Sequence, residues 1–308
     1  MSTGIDGDGC DRTLIVKGLF ALPKFIRFVR ERCPPGSFDD AALMNEWREA
    51  RTAALRVIGD EAGSADSIDV HDLPEETQPL AAQALRRPSM HRLLSLVPRR
   101  WCMVEIDRLV VFQDSINLRH VDQLKASLPV VPSAQDVIDL ASCSGSRSYP
   151  VVRSLQSDGG YVFSSQSNDL RFLDVVTVDP AAIQNYDPFG SASHAIVIYL
   201  GFSDNVISAT RSGKRIVLTN GSHRVYVLRE LGFSHVPCLL TDASDADASD
   251  FLLPADVKQD RQFYLRAPRP PLFKDYFDAR LTRIVPVIRK NYVLQAKLDL
   301  QRTTVPAL

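Results

Sequence analysis

Five consecutive residues, Asn220, Gly221, Ser222, His223 and Arg224, set an amide, a hydroxyl, an imidazole and a guanidinium around one glycine. Arginine offers a planar fork that matches phosphate oxygens, serine a short hydroxyl donor, and histidine either a donor or a proton carrier. The flanking residues say how such a group is positioned. Ile216, Val217 and Leu218 form an apolar strand, Asn220 and Gly221 a turn, and 222–231 a helix with Val225, Leu228 and Leu231 on one side and Gly232 as its stop. Residues 236–240 supply the next strand. A helix entered through glycine presents backbone N–H groups and the positive end of its dipole, which suits an anion. The plainer alternative is that Ser222 only caps the helix while His223 and Arg224 face solvent.

A second polar concentration, 164–171, contains Ser165, Asp169 and Arg171 after a strand. It could complete a polar site, although Ser, Asn and Asp clusters mostly form turns through local side-chain to backbone bonds. Cys10, Cys33, Cys102, Cys143 and Cys238 stand far apart, and the six histidines are scattered, so spacing predicts no metal site. The small acidic run 241–250 reads as a solvated boundary; as a calcium loop it lacks the glycine and the closing glutamate.

The elements that would carry these groups follow from periodicity. After a glycine- and aspartate-rich start expected to be flexible, 1–97 reads as mainly helical. Ser37 is the expected cap of a helix whose apolar face is Leu43, Trp47, Ala50, Ala54 and Ile58. Shorter helices are expected at 79–85 and 89–96. Strands at 102–105 and 109–112 and a helix at 117–128 open a central domain, 98–243, interrupted by an insertion, 129–193, with a helix at 134–141 and strands at 150–152 and 161–164. Core strands are expected at 195–200, 205–209 and 215–219. In a C-terminal extension, 244–308, residues 283–287 and 292–298 are expected to pair. The fold class is therefore α+β with a mixed sheet.

The chain has 308 residues, 45% of them hydrophobic and 24% charged, with a net charge of −1. That composition belongs to a globular protein with a packed core. It gives no overall electrostatic drive toward DNA, which is an unexpected partner without being excluded, and no apolar run reaches the length of a membrane span. A cytoplasmic location is expected, and nothing here sets an oligomeric state.

The segment 217–237, with its Gly221-Ser222-His223-Arg224 box, helix and Val236-Pro237 strand, resembles the ParB/sulfiredoxin superfamily. Upstream, 104–109 and the helix to Leu128 resemble that superfamily's opening strand and helix, so the resemblance spans roughly half the chain. It implies a nucleotide-binding domain in which Asn220, Gly221, Ser222, His223 and Arg224 cradle phosphates of ATP, ADP or CTP, with Arg119 near the superfamily's upstream arginine. Sulfinic acid reduction is disfavoured because Ser222 stands where sulfiredoxins have a reactive cysteine. The free serine kinases of the superfamily place a catalytic glutamate where this chain has Gln113, an amide that cannot take a proton; Asp114 is the adjacent acid. The expectation is a nucleotide-dependent phosphotransferase or hydrolase. In it His223 and Asp114 act catalytically on a small hydroxyl substrate, and Mg²⁺ is shared with Asp114 or Asp169. A non-catalytic nucleotide-gated regulator or DNA-associated module is the alternative.

Overall fold

The computed structural model describes residues 9–87, 90, 98–143, 151–157, 160–184, 190–202, 205–243 and 252–305. All but residue 90 of the expected helix at 89–96, and most of the acidic run 241–250, lie outside them. The chain is mixed α and β and divides into two compact units, one formed by 1–146 and 204–288, the other by 147–203 and 289–308.

The first unit is built on a five-stranded mixed sheet. Its strands are β2 (Val70–His71), β3 (Arg99–Glu105), β9 (Ser208–Ser212), β10 (Arg215–Asn220) and β11 (His235–Asp242), in the order β10-β9-β11-β3-β2. β9 and β10 form an antiparallel hairpin through Gly213. A helix, α6 (Ser222–Glu230), then carries the chain across so that β11 lies parallel to β9 on its other side. Val104, Ile216, Val217, Val225, Leu228 and Val236 are fully buried in the shared core. Each such side chain contributes about 1.5–3 kcal/mol through removal from water.

The helices of this unit are α1 (Leu22–Arg32), α2 (Asp40–Asp60), α3 (Gln78–Leu85), α4 (Leu118–Ala126), α5 (Ala134–Ser142) and the short α7 (Ala255–Gln259). The α2 face is close to the expected one, with Leu43, Ala50 and Ala54 buried, but its cap is Asp39, whose carboxylate accepts the Ala42 N–H. Ser37 instead donates its hydroxyl to the Pro34 carbonyl. Gly18 brings the chain against α2: a Cβ there would lie 2.5 Å from the Ala50 carbonyl carbon, a contact only glycine permits.

Four expectations about the organisation of the chain are corrected. The glycine- and aspartate-rich residues 1–8 lie outside the described residues, but the region expected to be mainly helical opens with a strand: β1 (Cys10–Val16) is the centre of a three-stranded sheet between β12 (Thr282–Ile288) and β4 (Ser115–Asn117). Consequently 283–287 and 292–298 do not pair with each other. The former is β12, held by β1, and the latter is β13 (Tyr292–Ala296), held by β6 (Gly160–Ser165). Unrecognised partners a long way off in sequence outcompete the neighbouring run. The strand at 195–200 is also not a core strand of the box domain. It is β8 (Ala195–Phe202), paired with β7 (Leu170–Val178) in the second unit, and it leaves Ile196 and Tyr199 exposed. α5, expected within the insertion, belongs to the first unit, so the second begins after it. β5 (Arg153–Ser157) completes the β13-β6-β5 sheet there.

Candidate functional site

β10 ends at Asn220, and Gly221 turns the chain with φ of +98°. A Cβ at Gly221 would lie 2.8 Å from Ile207 Cγ1, 3.1 Å from Ile207 Cα and 3.2 Å from Arg224 Nη2, so both conformation and space demand glycine. Gly221 occupies the cap position of α6, and its carbonyl accepts the N–H groups of Arg224 and Val225. No side chain caps the helix, and Ser222, expected as a possible cap, is instead its buried first residue.

His223 and Arg224 turn inward rather than toward solvent. The Asn117 N–H donates to His223 Nε2 at 3.0 Å, and the ring meets His120 edge-on at 5.1 Å. Burial, reinforced by His120 and the Arg224 charge, lowers the His223 pKa to about 3. His223 is therefore neutral, with Nε2 already filled as an acceptor. Arg224 is buried, and its Nη1 donates to the Leu140 and Ala141 carbonyls, both at 3.2 Å, and to Cys143 Sγ at 2.8 Å. A cation there complements the negative end of α5. Its charge nevertheless lies beside the Gly221 turn, where Nη2 stands 3.2 Å from the position a Cβ on Gly221 would take.

The remaining expected residues have other bonds. Arg119 Nη1 pairs with Asp11 Oδ1 at 3.1 Å, and the neighbouring Asn117 amide holds Asp11 Oδ2 at 3.1 Å. Gln113 is exposed and its carbonyl accepts the Tyr276 hydroxyl at 2.7 Å. Asp114 lies 3.6 Å from the Lys24 ammonium, and its carbonyl accepts the Val16 N–H. Ser165, Asp169 and Arg171 form a local turn: Ser165 Oγ accepts the Ser167 N–H, Ser167 Oγ accepts the Asp169 N–H, and Arg171 pairs with Asp169. That turn belongs to the second unit, whereas Asp114 belongs to the first.

Sequence reasoning missed a cavity of about 310 Å³ lined by Glu61, Arg229, Arg269, Lys274, Asp278 and Arg280, among others. Every one of its cations has an acidic partner: Arg229 with Asp107, Arg269 with Asp275 and Glu61, Lys274 with Glu61, and Arg280 with Asp278. The lattice of pairs ties the segment after Ala267 onto the end of α2. It was hidden because its members come from four separate stretches of chain. The metal question is also reopened. Among the described residues, Asp69, His71 and His235 bring ligand atoms within 4.8 Å of one another. The sequence signal was Asp69 and His71 two residues apart, a spacing that puts both on one face of an extended chain.

Comparison of the chain with protein-family models, with curated proteins and with solved structures finds no match. Among the described residues no helix is long and apolar enough to cross a membrane.

Proposed function

We propose that the first unit binds a nucleotide or another phosphate ester at the start of α6 and performs no chemistry on it, acting as a ligand-gated binding module. The observation that carries this reading is the uncapped helix start. β10 delivers the chain through a left-handed glycine into α6, the helix has no side-chain cap among the described residues, and a buried guanidinium lies beside the turn. Backbone donors, helix dipole and a fixed cation act together on an anion there. The ParB/sulfiredoxin resemblance of 217–237 supports phosphate as that anion and a ParB/sulfiredoxin-like domain as its frame.

Binding is favoured over phosphoryl transfer by what the candidate catalytic groups already do. His223 accepts a main-chain N–H and is neutral, Asp114 faces Lys24, and Gln113 cannot accept a proton. Arg224 contributes charge beside the turn while its Nη1 is spent on the Leu140 and Ala141 carbonyls and Cys143 Sγ at the end of α5.

The test is calorimetric titration of the protein with ATP, ADP and CTP, with and without MgCl₂, beside an assay for released phosphate. The expected result is saturable binding without turnover, abolished in Ser222→Asp. An aspartate in the first helical turn favours the helix dipole but places a carboxylate at the buried Ser222 position, so thermal denaturation of the variant checks that the fold is kept, and loss of binding by folded protein reports repulsion of an anion. Absence of binding to any of the three, or binding indifferent to Ser222→Asp, contradicts the proposal.

A further inference from the structure

We propose that Asp69, His71 and His235 form a binding site for a transition-metal dication of the Zn²⁺ class, independent of the helix start. The register of the central sheet builds it. β2 and β11 flank β3, and the pairings Val70 with Val104 and Val236 with Val104 align the three strands. His235 stands opposite Glu105 on β3, and the Glu105 N–H donates to the Asp69 carbonyl on the other side. Side chains alternate along a strand. Val104 and Val236 point into the core, fully buried, so Asp69, His71 and His235 emerge together on the opposite face.

The local geometry is that of ligands held for an ion. His235 Nε2 lies 3.2 Å from Asp69 Oδ2. With metal bonds of about 2.0–2.2 Å, neighbouring ligands of a tetrahedral ion stand roughly 3.3 Å apart. The His71 and His235 rings are 4.9 Å apart at an interplanar angle of 36°. Both rings are oriented from behind, as ligating imidazoles usually are. His71 Nδ1 meets the Asp72 carbonyl at 3.1 Å, which fixes a proton there and leaves the lone pair on Nε2, and His235 Nδ1 meets Ser234 Oγ at 3.0 Å. Two imidazoles and one carboxylate suit a borderline dication better than Mg²⁺ or Ca²⁺, which prefer all-oxygen shells. Three protein ligands leave a position for water, and the Asp69 side chain is 62% exposed, so the ion reaches the site from solvent.

The experiment uses tag-free full-length protein freed of metal by a chelator and titrated with CoCl₂, then ZnCl₂. One equivalent of Co²⁺ should bind, giving weak visible d–d bands without the strong near-ultraviolet absorption of a cobalt–thiolate bond. Zn²⁺ should displace it. His71→Ala and His235→Ala should each weaken Co²⁺ binding by about 100-fold, and Asp69→Asn by about ten-fold, the scale on which shells of a metal site act. His194→Ala should bind as the parent does. Circular dichroism of each variant confirms that the fold is kept, which these solvent-facing side chains should allow. Lack of saturable uptake, uptake unchanged in the His71→Ala/His235→Ala double variant, or a thiolate band that assigns the ion to cysteine would overturn the proposal.

Discussion

At the scale of the residue, the two side chains that most suggest chemistry are those the fold consumes. His223 is held neutral by burial, with a pKa near 3 against an ordinary 6.5. The unfolded chain therefore binds more protons than the folded one between those values. The stability contributed by keeping this ring neutral is complete above pH 6.5 and is lost as pH falls toward 3. Each pKa unit is worth about 1.4 kcal/mol, so the whole loss amounts to a few kcal/mol. Urea denaturation at pH 7, 5.5 and 4.5 should show the parent losing more stability on acidification than His223→Gln; parallel curves would contradict the assignment. Arg224→Ala should destabilise the protein by about 2–3 kcal/mol, the scale of charge-assisted bonds lost from buried carbonyls. A variant of parental stability would show that the guanidinium is not the clamp on α5 described above.

At the scale of the element, the segment after Ala267 is fixed by a buried ion pair. Arg269 and Asp275 are almost wholly inaccessible, and Glu61 of the α2 end adds a second carboxylate. Burial opposes the Arg269 charge, but Asp275 and Glu61 together raise its pKa above the usual value. Removing one partner strands the other in the interior, so Asp275→Ala should cost about 3–5 kcal/mol, measured by chemical denaturation. Replacing both Arg269 and Asp275 by apolar residues of similar size should cost less than Asp275→Ala alone. The helix start is an element of a different kind. Gly221→Ala introduces a Cβ 2.8 Å from Ile207 at positive φ, and a melting temperature equal to the parent's would deny that backbone geometry its role.

At the scale of the whole molecule, the division into two units rests on pairings between distant segments. β13 completes the second unit by pairing with β6, where a Cβ at Gly160 would lie 2.2 Å from the Ala296 carbonyl oxygen. Gly160→Val should therefore speed amide exchange in β5, β6 and β13, with β9 to β11 as the internal reference; unchanged exchange in β13 would contradict the pairing. Local patterns were legible from sequence: the α2 periodicity, the β10–glycine–α6–β11 order and a strand at 195–200. What pairs with what was not. β1 was hidden in a polar start because its Leu14, Ile15 and Val16 acquire meaning only against β12, about 270 residues on. β8 looked like a core strand because alternation was masked by its Ile-Val-Ile-Tyr-Leu run. The box was legible as residues but not as contacts, since nothing near Arg224 announces that the carbonyls of α5 will claim it. The Asp69, His71 and His235 cluster was invisible for the same reason, its third member lying 164 residues beyond its second.

The reading of the first unit depends on anion capture by the first turn of α6, and amide chemical shifts report on that turn directly. In a ¹H–¹⁵N correlation spectrum recorded during titration with the tightest-binding nucleotide, the largest perturbations should fall on the amides of Gly221, Ser222 and His223 and saturate with the calorimetric affinity. Perturbations centred instead on Arg269, Lys274 and Arg280 around the charged cavity, or none at all, would contradict it.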